Sequence, residues 1–99
     1  MTSKQRAYLK GLASNLDAIF QLGKSSLTPE VTDAICEALD KRELIKVSVL
    51  KNCADDPRDL AEVLSERTHS QVVQVIGRKI VLYKQNPKKE KQKILLPKE

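Results

Sequence analysis

Twice in this chain a residue able to cap a helix stands directly before a proline, at Thr28-Pro29 and at Asp56-Pro57. Proline at the first helical position gives up no needed N–H and brings a φ already suited to the helix, so each pair predicts a helix start. The residues that follow agree. Val31, Ala34, Ile35, Ala38 and Leu39 form an apolar stripe after the first signal, and Leu60, Ala61, Val63 and Leu64 form one after the second. Asp33, Glu37 and Asp40 fall on the outer face of one helix, Glu62 and Glu66 on that of the other, and nucleic acid is expected to avoid both.

Around these helices the period changes to two. In residues 18–22, Ala18, Phe20 and Leu22 share one face and Ile19 and Gln21 the other, while in residues 44–50 Ile45, Val47 and Val49 alternate with Lys46 and Ser48. Residues 71–76 and 79–83 are strand-like runs on either side of Gly77-Arg78, a pair suited to a tight hairpin. Ahead of them all, residues 3 to about 14 set Leu9, Leu12, Ala13 and Leu16 at helical spacing, with Arg6 and Lys10 one turn apart as a basic edge. The order is αβαβαββ, an α/β fold with a four-stranded mixed sheet packed with three helices. The first two strands should pair in parallel through a helical crossover, with the antiparallel hairpin completing the sheet. Phe20, Ile45, Val47, Val49, Val73, Val75, Ile80 and Leu82 are expected on one apolar face. The other face, with Gln21, Lys46, Ser48, Gln74, Ile19 and Ile76, is expected to be partly covered.

Ninety-nine residues leave room for one domain and little for an enclosed cleft. The net charge of +5 makes a polyanion the first partner to consider, and aromatics at only 3% of the chain argue against a sheet that stacks several bases. Most of the charge lies after Tyr83, where six lysines face two glutamates for a net of +4, leaving about +1 for the rest. Any basic face on the body must therefore come from segregation of charge. Cys36, Cys53 and the single His69 lack zinc-ligand spacing and offer no acid–base or nucleophilic pair, so neither a metal, a cofactor nor a catalytic residue is expected. No apolar signal core or membrane-length run is present, and a cytoplasmic, monomeric protein is expected.

The sharpest local feature is the junction Leu22-Gly23-Lys24-Ser25-Ser26-Leu27-Thr28-Pro29. Small residues ahead of a helix N-terminus suit a phosphate: backbone N–H groups can approach it, Lys24 adds charge, and the hydroxyls of Ser25, Ser26 and Thr28 can donate to it. The plainer reading is a capped turn with an exposed lysine, and the full P-loop pattern is absent. As a whole, the chain resembles the CRM domain (chloroplast RNA splicing and ribosome maturation) in its small bacterial stand-alone form. The likeness rests on Lys4-Gln5-Arg6 with Leu9 and Leu12, Leu22-Gly23-Lys24 with Leu27-Thr28, and Glu43-Leu44-Ile45-Lys46-Val47. It continues through Val72-Val73-Gln74-Val75-Ile76-Gly77 and Val81-Leu82-Tyr83.

That resemblance implies an RNA-binding domain over residues 1–84, similar in fold to the C-terminal domain of bacterial translation initiation factor three and associated with precursors of the large ribosomal subunit. The family's GxxG loop aligns with Gly23-Lys24-Ser25-Ser26, Ser26 standing in place of the closing glycine, and retained binding is expected. Arg6 and Lys10 could extend the basic face. Lys46 could contact RNA or lay its stem over apolar neighbours, and Arg78 and Lys79 could contact RNA or serve solubility at the hairpin tip. Residues 85–99 are expected to be a flexible basic tail, although Ile94-Leu95-Leu96 could dock on the body or on a partner. The expected function is binding of ribosomal RNA in aid of large-subunit assembly. The rival is a protein-interaction module docking on a ribosomal protein or assembly factor.

Overall fold

The computed structural model describes residues 1–98. The first helix, α1 (Ser3–Ala13), opens on a capping box: Gln5 N donates to Thr2 Oγ1 at 3.1 Å, and Thr2 N donates back to Gln5 Oε1 at 3.0 Å. Both proline signals act as expected. Thr28 Oγ1 accepts from Val31 N at 3.2 Å to start α2 (Pro29–Arg42), and an Asp56 carboxylate oxygen accepts from Arg58 N at 2.8 Å to start α3 (Pro57–Thr68). The strands are β1 (Phe20–Leu22), β2 (Leu44–Val49), β3 (Gln71–Ile76) and β4 (Lys79–Tyr83). Strand β1 is shorter than the expected run 18–22, although Ile19 N already reaches Lys46 O at 3.0 Å. Gly77, at φ +57, makes the hairpin turn between β3 and β4, a conformation glycine adopts without a Cβ penalty.

The sheet order is β1-β2-β4-β3, with β1 and β2 parallel and the other pairs antiparallel. Helices α2 and α3 cover one face through Ile35, Leu39, Leu60, Ala61 and Leu64, packed on Leu22, Ile45, Val47, Val49, Ile80 and Leu82. Cys53 is buried there as a small apolar side chain. Helix α1 lies on the opposite face, where Leu9 and Ala13 meet Leu44, Val73, Val81 and Tyr83. Leu12 and Leu16, expected in its stripe, are each 37% exposed, and Leu16 lies beyond the end of α1.

Val73 corrects the expected face assignment. In the β3–β4 register Val72 pairs with Leu82 and Gln74 with Val81, so Val73 is an extra residue, a β-bulge. The inserted residue turns Val73 toward α1, while Val72 and Val75 stay with the main core. Arg6 sits at this irregularity. Its Nη1 donates to Val72 O at 2.6 Å and to Val73 O at 3.0 Å, so the guanidinium is committed to the bulge rather than forming an open basic edge with Lys10.

The chain after Tyr83, expected as a flexible basic tail, is hydrogen-bonded to the body. Glu43, fully buried at φ +65, accepts from Asn86 N at 2.7 Å through one carboxylate oxygen, and from Lys93 N at 2.6 Å and Ile94 N at 2.9 Å through the other. A buried carboxylate needs such donors, and these three stitch the segment to the body. Between them lies one 3-10 turn, Lys89–Lys91. Of the three apolar residues whose docking the sequence left open, Ile94 and Leu96 pack beside the α1 core and Leu95 stays 81% exposed. Burial raises the pKa of the nearby Tyr83 phenol, and the Glu43 charge raises it further.

Loss of a charged donor to two carbonyls is expected to lower the unfolding free energy of Arg6→Ala by about 1.5–3 kcal/mol, read by urea denaturation. A change within about 0.5 kcal/mol, as for an ordinary surface residue, would show that the guanidinium does not support the bulge. Glu43→Ala should in turn strip hydrogen-exchange protection from the Asn86, Lys93 and Ile94 amides, while the central β2 and β4 amides remain protected.

Candidate nucleic-acid interface

Parallel pairing of β1 and β2 brings their C-terminal ends to one side of the sheet, and the β3–β4 hairpin turns at the same side. Three connections therefore meet there. Leu50 N donates to Leu22 O at 2.8 Å, Val49 N to Arg78 O at 2.7 Å, and Arg78 Nη1 to Leu50 O at 3.2 Å. A Cβ on Gly23 would stand 3.3 Å from Asn52 Oδ1 and 3.5 Å from Leu50 Cδ1, so a residue without a side chain allows the close approach of the two loops.

The Gly23 loop is closed by a turn in which Ser26 N donates to Gly23 O at 2.9 Å. Ser26 has φ +51, the left-handed conformation that a glycine would adopt freely. Serine at this position thus keeps the backbone that a closing glycine would supply. The side chains contribute unequally. Lys24 and Ser25 are exposed, and their amides find no backbone acceptor among the described residues. Ser26 Oγ, expected as a donor to phosphate, is buried without a hydrogen-bond partner. Thr28 Oγ1 serves as the α2 cap, which gives that side chain a structural task.

A second cluster lies where α1 leaves the sheet uncovered. Lys10, Lys46 and Lys79 line one groove of about 400 Å³ with Gln74 and the 58% exposed Ile76. Lys79 Nζ donates to Ser48 Oγ at 3.0 Å, which anchors one of the three ammonium groups. Arg78, next to Lys79 in the chain, stands at the sheet end that carries the Gly23 loop. On the other side of the loop, Asp55, Asp59 and Arg67 line a hollow with Ser25 and Ser26. The α1 side therefore carries three lysines, and the α3 side of the loop carries mixed charge. Of the ten residues singled out from the sequence, Lys10, Lys46 and Lys79 share the groove. Gly23, Lys24, Ser25, Ser26, Thr28 and Arg78 belong to the adjoining sheet end, and Arg6 is held at the bulge.

His69 terminates α3 next to the start of β3, the opposite end of that strand from the hairpin turn. Cys36 lies on α2, with Sγ 4.0 Å from Lys84 Nζ. Among the described residues no three His, Cys, Asp or Glu side chains gather as a metal site, and no helix is long and apolar enough to cross a membrane.

A family model for the CRS1 / YhbY (CRM) domain matches residues 1–84. The chain belongs to the CRM domain family. Similar proteins include "Probable RNA-binding protein YqeI" of Bacillus subtilis, 48% identical over 97 residues that cover 98% of this chain and 99% of that protein. An "RNA-binding protein" of Haemophilus influenzae is 36% identical, with 98% of this chain and 95% of that protein covered. The solution structure of the hypothetical protein SAV1595 from Staphylococcus aureus matches with a TM-score of 0.78 at 49% identity, covering 98% of this chain and 99% of that one. The expected α/β architecture and family are thereby shown.

The residue whose part in this CRM domain the sequence did not reveal is Glu43, which stands between α2 and β2. A single positive-φ residue between α2 and β2 interrupts both the helical and the strand period, so neither pattern marks it. Ser26 offers a direct test of the loop geometry. Relief of its left-handed backbone, offset by the greater unfolded-state freedom of glycine, should make Ser26→Gly more stable by roughly 0.5–1 kcal/mol in urea. A lower urea midpoint would show instead that the buried hydroxyl is stabilising.

Proposed function

We propose that this protein binds ribosomal RNA in cytoplasmic precursors of the large ribosomal subunit and assists their assembly, without catalysing a reaction. The observation that carries the reading is the left-handed backbone at Ser26, which retains a closed GxxG-type turn despite the missing glycine. The Lys24 and Ser25 amides would hold a phosphate oxygen, with the Lys24 ammonium beside it. From there the RNA backbone would pass Arg78 and cross the groove of Lys79, Lys46 and Lys10. Acidic side chains on the outer faces of α2 and α3 disfavour the opposite approach. The names of the similar proteins support RNA as the ligand.

The aromatic side chains fit this mode of recognition. Phe20 packs against the main core and Tyr83 is buried, leaving Tyr8 as the exposed aromatic at 43%. Base stacking then contributes little, and recognition rests on phosphate positions and on the shape that presents them. Such a mode suits folded RNA.

Neutralisation of about five phosphates should give a log–log salt slope near −3 to −4 on a single-stranded region, at roughly 0.7 per contact. The double variant Gly23→Asp, Lys24→Ala should weaken binding by about tenfold or more, with Lys24→Ala alone intermediate. Unchanged affinity in a folded double variant would remove the loop from the interface. For the assembly role, sedimentation of lysate should place the protein with large-subunit precursors, released by high salt and by ribonuclease. A protein that stays at the top of the gradient under every condition would contradict it.

A further inference from the structure

The segment after Tyr83 is stitched down in a way that presents its lysines. Besides the three amides on Glu43, Lys88 N donates to Asn86 Oδ1 at 2.9 Å and Gln92 Nε2 to Asn86 O at 2.9 Å, closing the short loop around the 3-10 turn. Lys84 is paired with Asp40 at 3.0 Å, the one ion pair among the described residues. Lys88, Lys89, Lys91 and Lys93 are exposed and carry no such partner there. Lys41, Lys88, Lys91 and Lys93 line a single concavity of about 930 Å³, with the amides of Asn86 and Gln92 in its wall. Asp40 and Glu90 also border it, the first already neutralised by Lys84.

This concavity sits where α2 ends and β4 runs out, at the opposite end of the sheet from the Gly23 loop. The six residues of β2 alone separate the two ends by about 17 Å at a rise of ~3.3 Å per residue. We propose that the strap is a second RNA-binding surface, so that one molecule holds two separate RNA segments, one at each end of its sheet. The proposal rests on the RNA-binding reading above and extends it to a bridging role. A row of ammonium groups on flexible stems adapts to successive phosphates. The concavity has no aromatic side chain and, beyond Pro87, no apolar one, so it lacks the buried anchor that a protein partner would use. Fixing the strap to the body sets a defined distance between the two segments and raises their local concentration about each other.

The test is the stoichiometry of a short single strand, about six nucleotides, on the full-length protein at low salt. Sedimentation would be combined with amide chemical shifts. Two strands per protein are expected, with shifts both at the Gly23 loop and at residues 88–93. The variant Lys88→Gln, Lys89→Gln, Lys91→Gln, Lys93→Gln changes only exposed side chains and should bind one strand, at the loop, with its salt slope reduced by about 2–3. Lys24→Ala with Arg78→Ala should leave the strap shifts in place. One strand per wild-type protein, with the strap amides unmoved, would overturn the bridging role and leave loop binding intact. Strap shifts produced more strongly by an oligoglutamate peptide than by RNA would overturn RNA as its ligand in favour of an acidic protein. No strand bound at either end would overturn the RNA-binding reading itself.

Discussion

Arg6 and Val73 together solve a problem set by the sheet. Strand β3 has to supply side chains to a core on each face, yet its apolar residues at 72, 73 and 75 do not alternate. One inserted residue sends Val73 to the α1 side and keeps Val72 and Val75 on the other, and the insertion disturbs the ladder locally. The Arg6 guanidinium binds the two carbonyls concerned. Helix α1 is thereby pinned over one part of the sheet, and this fixes which part remains open. The groove of Lys10, Lys46 and Lys79 is the uncovered remainder. Its position thus follows from an apolar packing requirement on the strand next to it.

Much of this arrangement is legible in the sequence because the signals are local. The cap-then-proline pairs, the alternation through β2 and the Gly77-Arg78 turn each depend on a few neighbouring residues, and they give the element order and the strand pairing. The harder features depend on chain segments far apart in sequence. Val73 alternates with Val75 while Val72 breaks that alternation, and which of the two valines leaves the main core is decided only by the pairing with β4. Arg6 looks like a solvated helix cation until Val72 and Val73 are placed beside it. In the same way, the lysine-rich composition after Tyr83 describes a disordered segment well, since composition does not register a buried acceptor contributed from residue 43. At the candidate site, the turn between β1 and α2 was legible from its small residues and its cap-then-proline pair, whereas the inward-facing hydroxyl of Ser26 depends on a backbone angle.

The electrostatics show how a body of nearly balanced charge can present a directed surface. Acidic residues sit on the outer faces of α2 and α3, the two helices that share the main core, whereas the open face beside α1 gathers lysines. Layered architecture makes this possible, because each helix layer screens one face of the sheet and leaves its own outer surface free to carry one sign. Glu43 belongs to a different category. It is an acidic side chain placed inside, where its charge organises backbone amides and is not part of the external field.

The two outer strands have a consequence for association. An edge strand with a long, regular row of unpaired backbone groups invites another strand to add to it. Here β1 extends over only three residues. At the other margin, β3 is kinked by its extra residue, and two of its carbonyls are already occupied by a guanidinium. Neither margin offers a flat, uninterrupted template. The irregularity that apportions side chains between two cores therefore also guards a small four-stranded sheet against growing by edge-to-edge addition.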